Sequence, residues 1–288
     1  MFIHNSYIIE ALTNTHVGSG DTSFGTVDNL IQKDPVTSLP VFHSSSIKGA
    51  IKEHMEQYVK PPAIIPPADF NLIFGEAEDR PGVVKFYDAR LLTLPLRSTR
   101  RVFYHCTSPE IILDYLSAIK TFGDATRFDN LEKLLNLFNG LKSQFDDSEF
   151  LVFNNDANNE RYLEIEDYGK NKKYSITDIS INGLITKYMG VDINNLAVFT
   201  DDIFYRICKD SLPVIARNKI GEDGTSENLF YEEVLPRRSR LWFMLGFDNN
   251  ITVNGQFETK LTSDLIQIGA NASIGYGVTR ISLAGGGV

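Results

Sequence analysis

The sequence of 288 residues lacks the marks of a membrane or secreted protein. No run approaches the roughly 20 apolar residues that a membrane-spanning helix needs, and the N-terminus has neither the basic region nor the apolar core of a signal peptide. The two cysteines, Cys106 and Cys208, lie far apart and match no metal-binding spacing. Isolated cysteines suit a reducing compartment. We therefore expect a cytoplasmic protein, without membrane contact, whose cysteines are packing thiols.

The motifs of several enzyme classes are missing too. There is no His-Glu-x-x-His, no paired Cys/His cluster and no Gly-x-Ser-x-Gly, which argues against zinc proteases, zinc fingers and α/β-hydrolases. No Gly-Lys-Ser/Thr follows the glycine-rich segments, so they are neither a P-loop nor a dinucleotide fingerprint. The composition is that of an ordinary globular protein, with 42% hydrophobic and 23% charged residues. Such a chain can form one domain, residues 1–288, with sizeable insertions.

Positive charge is scarce, which argues against a simple nucleic-acid binder because phosphate affinity comes mainly from lysine and arginine. The net charge is −9. The acid is concentrated, however: residues 146–167 carry a net charge of −7, which leaves about −2 for the other 266 residues. A nearly neutral body with local basic patches can hold RNA, with the acidic segment facing away from it.

Strand and helix patterns interleave without regular alternation. The periodicity predicts strands at residues 3–12, 83–92, 213–220, 241–247 and 277–283. It predicts helices from residue 44 and at residues 109–122, 128–145, 176–189, 195–208 and 261–268. This mixture favours an α+β fold, with an RRM-like (ferredoxin-like) core that carries helical insertions. We place the helical insertion at about residues 109–210, with its acidic segment at 146–167, and a flexible tail at 284–288.

The residues after the first strand could carry chemistry. The glycines between Gly18 and Gly25 allow backbone conformations in which N–H groups face a phosphate, or they simply form a turn. Asp28 follows this loop and can bind Mg²⁺ or accept a proton, although a loop aspartate can equally be a turn residue. His16 could carry a proton or act as a hydrogen-bonded structural residue.

Three further segments could bind an anion or RNA. Ser45, Ser46 and Lys48 lie at the N-terminus of a predicted helix, where unpaired N–H groups attract anions, although ordinary capping explains them as well. Arg217 and Lys219 begin a polar excursion, and residues 97–105 mix arginines with aromatic residues. Such mixtures bind single-stranded RNA, but short charged runs are also common on solvated faces.

Taken together, these segments resemble one family, in the same order along the chain. They are Leu-Thr-Asn-Thr-His-Val-Gly-Ser-Gly (12–20), Gly-Thr-Val-Asp-Asn-Leu-Ile-Gln-Lys-Asp (25–34), Ser-Ser-Ser-Ile-Lys-Gly (44–49), Leu-Phe-Tyr-Glu-Glu-Val-Leu-Pro (229–236) and the stretch from Ile266-Gln-Ile-Gly to Ile274-Gly-Tyr-Gly-Val. They are similar to the backbone nuclease subunits of type III-B (Cmr) CRISPR effector complexes, within the RAMP superfamily. Lys33 stands where that family usually has arginine, and residues 146–170 match it poorly.

The resemblance implies a fold and a set of site residues. It implies an RRM-like palm, a β-hairpin thumb at about residues 213–235 and a C-terminal glycine-rich loop. Asp28 matches the catalytic and metal-binding aspartate of the family, with His16 nearby and Glu232 as a weaker candidate for the site. The RNA-binding positions that the resemblance and the sequence patterns indicate are Lys48, Ser45, Ser46, Arg217, Lys219, Gly269, Gly275 and Gly277.

The resemblance also implies a function. We expect a subunit that binds a guide CRISPR RNA, stacks with copies of itself into a helical backbone and cuts a target single-stranded RNA at regular intervals in antiviral defence. Its other partners would be the remaining Cmr subunits, and its cofactor Mg²⁺ or another divalent cation. Three alternatives stay open: a non-catalytic guide-binding scaffold, a metal-independent guide-processing ribonuclease that uses His16, and an enzyme acting on a small phosphorylated molecule.

Overall fold

The computed structural model describes residues 2–20, 26–61, 63–76, 80–123, 130–154, 162–220, 225–248 and 255–285. Its strands are β1 (Phe2–Ala11), β2 (Val41–Phe42), β3 (Gly75–Glu76), β4 (Arg80–Pro81), β5 (Lys85–Phe86), β6 (Ala89–Arg97), β7 (Phe103–Thr107), β8 (Phe150–Val152), β9 (Asn171–Lys173), β10 (Leu196–Phe199), β11 (Val214–Ile220), β12 (Ser226–Glu233), β13 (Arg240–Asp248), β14 (Leu265–Gln267) and β15 (Val278–Leu283). Its α-helices are α1 (Ser44–Glu56), α2 (Pro67–Phe74), α3 (Pro109–Phe122), α4 (Leu131–Leu141), α5 (Ser180–Met189), α6 (Asp201–Asp210) and α7 (Gly255–Ser263). The expected α+β class is confirmed.

A mixed sheet of 11 strands forms the centre of the molecule, in the order β14-β15-β1-β13-β6-β7-β10-β8-β9, with β2 beside β6 and β5 beside β13. Strand β1 runs antiparallel to β13 on one side and to β15 on the other. The chain therefore brings its first and last strands together near one edge of the sheet. This pairing places the loop that follows β1 beside the loop that precedes β15.

Both faces of the sheet are covered by helices, because its strands carry apolar side chains on alternate sides. In β1, Tyr7 and Ile9 join the core beneath α1, α2, α6 and α7, whereas Ile8 joins the core beneath α3, α4 and α5. The second core is formed largely by α3, α4 and α5 of the expected insertion, which cover one face of the sheet, whereas α6 packs on the other face. In the described residues, no helix is both long and apolar enough to cross a membrane.

Two helix predictions were wrong in part. Residues 195–208 form strand β10 and only then helix α6, because all four residues of β10 are buried beside β7 and β8. Residues 261–268 were expected to be helical, but α7 ends at Ser263 and β14 then pairs with β15. A short apolar run has no periodicity that separates a buried strand from a helix. The strand expected at residues 83–92 is likewise divided into β5 and β6.

Strands β11 and β12 form a separate antiparallel hairpin in the range expected for a thumb. Its tip, residues 221–224, lies outside the described residues, as do residues 155–161 of the acidic segment and residues 286–288 of the expected tail. At the start of that tail, Ala284 is buried and its amide donates to the carbonyl of Ser6 over 2.8 Å.

Candidate functional site

The base of the hairpin meets the loop after β1 and the glycine-rich loop before β15. The amide of Leu235 donates to the carbonyl of Thr15 over 2.9 Å, and the amide of Gly277 donates to the carbonyl of Asn14 over 2.9 Å. The segment containing Asp28 runs beside the end of β12, where Asn29 and Glu232 form a bridge. Three segments that are remote in the sequence thus surround one site.

Asp28 lies at the surface of this site. Its Oδ2 accepts a hydrogen bond from the backbone amide of Tyr231 at 2.7 Å, and its own amide donates to the carbonyl of Tyr231 at 3.0 Å. Both contacts hold the carboxylate against the hairpin. Its Oδ1 has no hydrogen-bond partner among the described residues, so one oxygen is available to a ligand.

His16 is buried beneath the hairpin, with 5% of the residue exposed. Its Nδ1 lies 2.7 Å from the carbonyl oxygen of Glu233. A carbonyl can only accept, so Nδ1 carries the proton in this contact. The other nitrogen, Nε2, lies 3.6 Å from Oε1 of Glu232. His16 therefore joins the loop after β1 to the hairpin, and in this geometry it does not reach the surface.

Glu232 is also buried, and the side chains of His16, Arg217 and Asn271 surround its carboxylate. Nε of Arg217 lies 2.7 Å from Oε2, but neither Nε nor Nη2 of Arg217 forms a hydrogen bond with the described residues. Nδ2 of Asn271 lies 3.0 Å from both carboxylate oxygens, and the guanidinium of Arg217 lies 4.6 Å from the ring centre of Tyr276. The structure thus places Glu232 and Arg217 at the base of the hairpin.

The adjacent Glu233 forms a second ionic contact. Its Oε1 lies 2.8 Å from Nζ of Lys33, and its Oε2 accepts from the amide of Ile31 at 3.2 Å. Nζ of Lys33 also donates to the carbonyl of Lys209 at 3.4 Å. Glu232 and Glu233 point to opposite sides of β12 and connect it to two different loops.

The glycines of the C-terminal loop are required by close backbone contacts. A Cβ on Gly269, whose φ is +90°, would lie 2.4 Å from the carbonyl oxygen of His16. A Cβ on Gly277, with φ +76°, would lie 2.3 Å from the carbonyl oxygen of Ile268. Gly275 also has a positive φ, but a Cβ there would meet nothing within 4 Å. Two of the three predicted RNA-binding glycines thus pack against protein backbone.

The N-terminus of α1 lies next to the same loops. Nε2 of Gln32 donates to the carbonyl of Gly18 at 3.2 Å and to Oγ of Ser46 at 3.0 Å. Ser45 is exposed in the first turn, and Nζ of Lys48 lies 6.0 Å from the ring centre of Phe86. Among the described residues, Lys48 has no ion pair. A helix N-terminus with a free ammonium nearby favours an anion.

The other basic residues named from the sequence differ in their setting. Lys219 pairs with Asn228 in the hairpin, and its side chain lies outside the described part of the chain. Arg97 pairs with Glu166 at 2.7 Å, and Tyr104 and His105 are buried. Residues 97–105 therefore do not form one exposed basic and aromatic surface.

The described residues do not supply a complete ligand set for a metal ion. They contain no group of three or more His, Cys, Asp or Glu side chains placed to hold one. Asp28 offers one free oxygen, whereas Glu232 already contacts Arg217 and Asn271. The divalent cation expected at Asp28 consequently has a single carboxylate to bind in this part of the chain.

Gln32, Asn271 and Tyr276 belong to the site but escaped the sequence reasoning. Asn271 and Tyr276 lie within the glycine-rich loop, where a polar and an aromatic residue among glycines are a usable signal. Gln32 gave no signal, because its role depends on α1 and the loop after β1 approaching from two sides.

Comparisons with known proteins identify relatives of this chain. Residues 8–280 match the family described as the RAMP superfamily. The chain is 26% identical over 285 residues to the CRISPR system Cmr endoribonuclease Cmr4 of Pyrococcus furiosus, covering 94% of this chain and 92% of that protein.

Solved structures share the fold over nearly the whole chain. A crystal structure of oligomeric Cmr4 from Pyrococcus furiosus has a TM-score of 0.70 at 20% identity and covers 98% of each chain. The cryo-EM structure of a type III-B Cmr-beta complex bound to cognate target RNA has a TM-score of 0.73 at 21% identity and covers 98% of this chain and 97% of that one. Its apo state matches with the same TM-score of 0.73.

Proposed function

Because this chain belongs to the RAMP superfamily, we propose that it is an RNA-guided backbone subunit of a type III-B (Cmr) CRISPR effector complex that cuts target RNA. The support is its homology to Cmr4, which carries the name of an endoribonuclease, and its similarity to chains of complexes described with target RNA. In this proposal the mixed sheet is the RRM-like palm and the β11–β12 hairpin is the thumb. The subunit binds the guide CRISPR RNA and the other Cmr subunits in the cytoplasm.

The observation that carries the nuclease proposal is the position of Asp28. Its carboxylate is exposed and held by the amide of Tyr231 at 2.7 Å, with one oxygen available. A carboxylate held by backbone contacts loses little freedom when a substrate arrives, which favours catalysis. It lies where the hairpin meets the loops, which is where an RNA strand bent by the hairpin would pass.

The proposed reaction uses the RNA as its own nucleophile. The hairpin displaces a nucleotide, and the bend brings a ribose 2′-oxygen into line with the adjacent phosphorus. Oδ1 of Asp28 accepts the proton of the 2′-hydroxyl as that oxygen attacks the phosphorus. The bond from phosphorus to the 5′-oxygen of the next nucleotide breaks, that oxygen takes a proton from water, and a 2′,3′-cyclic phosphate remains. Geometry supplies much of the acceleration, because an aligned intramolecular nucleophile is worth up to about 10 kcal/mol.

The side chains of the hairpin support its role as a wedge. Leu229 and Tyr231 on β12 are 55% and 41% exposed. Exposed apolar and aromatic side chains can stack on bases and separate them from their neighbours. Arg217 and Glu232 would then act beneath the wedge as positioning residues, because their charged groups contact each other.

The cation dependence is a separate proposal. In it, Oδ1 of Asp28 would bind a divalent ion instead of accepting the proton, and phosphate oxygens of the RNA would have to provide the other ligands, because the described residues supply one carboxylate. The ion should then bind only after the RNA, and cleavage should require Mg²⁺ or Mn²⁺. Equal cutting in excess EDTA would refute the cation requirement while leaving the base role of Asp28 intact.

The decisive test is Asp28→Asn in the assembled complex. We expect guide binding and assembly to persist while target cutting falls at least about a hundredfold, the usual effect of removing a general base. Asp114→Asn, which alters an exposed carboxylate on α3, serves as the matched control. Normal cutting by an intact Asp28→Asn complex would mean that this subunit is a non-catalytic scaffold. Cutting of guide precursors by the isolated chain in EDTA would instead favour a processing ribonuclease that uses His16.

A further inference from the structure

A cluster of arginines lies on the far side of the loops that surround Asp28. Strand pairing places Arg240 of β13 and Arg280 of β15 directly opposite Glu10 of β1, one on each side. Directly opposite residues in a sheet project from the same face. Arg238, just before β13, reaches the same carboxylate. Three guanidinium groups therefore surround one glutamate.

The positive charge of this cluster is only partly balanced. Glu10 lies 2.9 Å from Nη1 of Arg238, 3.5 Å from Nη2 of Arg240 and 3.9 Å from Nη1 of Arg280. Within the described residues, Glu10 is the only carboxylate in ion-pair contact with them, and the exposed Arg237 has no ion pair. Three arginines thus share one acid, and a fourth lies beside them without an acidic partner among the described residues, in a chain whose net charge is −9.

Arg240 and His105 form the buried floor of the cluster. Nη1 of Arg240 lies 2.9 Å from Nε2 of His105. Burial, followed by the charge of Arg240, lowers the pKa of His105 to about 3, so the ring is neutral at pH 7 and adds no charge. Above this floor, the side chains of Arg238 and Arg280 are 50% and 56% exposed. Their guanidinium groups are accessible to a large anion.

The cluster adjoins the loops that surround Asp28. The amide of Arg237 donates to Oδ1 of Asn14 at 3.0 Å, and the carbonyl of the same asparagine accepts from the amide of Gly277 at 2.9 Å. Arg237 also follows β12 by only a few residues. The hairpin, the glycine-rich loop and the arginines are therefore adjacent. An RNA strand that leaves the hairpin along this surface would reach the arginines next.

We propose that Arg237, Arg238 and Arg280 form a second phosphate-binding surface, which holds the sugar–phosphate backbone of the RNA beyond the hairpin. This inference rests on the proposed function. Arg238 precedes β13 and Arg280 lies on β15, so their exposed guanidinium groups reach Glu10 from different strands, and each can contact a phosphate of an RNA strand that passes over them. Arginine suits this role because its planar fork of donors matches phosphate oxygens.

Salt dependence tests the proposal directly. The full-length double variant Arg238→Gln/Arg280→Gln is compared with the wild type for binding of single-stranded RNA over a series of KCl concentrations. Log affinity falls as log salt rises, and each lost phosphate contact makes this slope less steep by about 0.7. The slope of the double variant should therefore be less steep by about 1.4. Lys60→Gln/Lys142→Gln removes the same charge from exposed positions elsewhere and should leave the slope unchanged.

The outcomes separate the two proposals. RNA binding by the wild type tests the proposed function, whereas the difference between the two double variants tests the arginine surface. Equal slopes for both double variants would contradict the phosphate-binding role of the arginines. A wild-type slope for the arginine double variant together with loss of self-association would also contradict it, and would make the arginines part of a protein interface. Should the double variant unfold, Arg237→Gln, which breaks no ion pair among the described residues, should still lower the slope by about 0.7.

Discussion

Arg217 and Glu232 join the two strands of the hairpin at its base, with Nε of the arginine 2.7 Å from Oε2 of the glutamate. The residues are diagonal neighbours, because Glu232 pairs with Ile215 in the antiparallel register. Asn271 then connects the glutamate to the glycine-rich loop. The orientation of the hairpin over Asp28 therefore depends on a buried charge pair.

Removing the carboxylate should destabilise the protein and loosen the hairpin. Glu232→Ala leaves Arg217 buried without its counter-charge, and we expect the free energy of unfolding to fall by about 3 kcal/mol. Glu232→Gln keeps the contact to Asn271 and should cost less. Urea unfolding measures both. Equal losses of stability for alanine and glutamine would contradict an electrostatic role for this residue.

Lys48 should contribute to RNA affinity but little to stability. Its ammonium lies beside the N-terminus of α1 with no ion pair among the described residues, so Lys48→Ala should weaken RNA binding and reduce the salt slope by about 0.7. Lys52→Ala, one turn further along the same helix, is the matched control. Filter binding and thermal unfolding distinguish the two effects. Equal affinities for the two variants would exclude Lys48 from the RNA interface.

Gly269 should tolerate no side chain. Its φ is +90°, and a Cβ would lie 2.4 Å from the carbonyl oxygen of His16, so Gly269→Ala should destabilise the protein by more than about 2 kcal/mol. Gly183→Ala lies in α5, where a Cβ meets nothing within 4 Å, and should stabilise it by about 0.5–1 kcal/mol. Denaturant midpoints compare them. A similar midpoint for both variants would contradict the tight packing of this loop.

His105 should make stability depend on pH. Burial lowers its pKa to about 3, below the value of about 6.5 in an unfolded chain. The unfolded state therefore binds more protons between these values, and stability is lost as the pH falls below 6.5. Between pH 7 and pH 5 the loss from this group is about 2 kcal/mol.

The comparison is the free energy of unfolding of the wild type and His105→Gln at both pH values. Carboxylates titrate in both proteins, so only the difference reports His105. The variant should lose about 2 kcal/mol less than the wild type on acidification. Parallel pH profiles would show that the ring is not held neutral in the folded state.

Much of the fold could be anticipated where a pattern was long. The helix predicted at residues 109–122 is α3 without change, because a proline at its first position and a strong 3.6-residue period indicate both its start and its face. The helix prediction for residues 195–208 was wrong in part because four consecutive apolar residues show no periodicity. Their pairing with β7, about 90 residues earlier, determines that they form a strand.

The sequence alone determined the α+β class, the main helices, the family resemblance and the candidates Asp28 and Lys48, since local periodicity and short motifs are properties of neighbouring residues. Only the tertiary structure decided that His16 and Glu232 lie buried under the hairpin while Asp28 stays exposed. It alone brought Arg238, Arg240 and Arg280 around Glu10. The physical reason is that burial and charge pairing depend on strand register between distant segments, which no local pattern encodes.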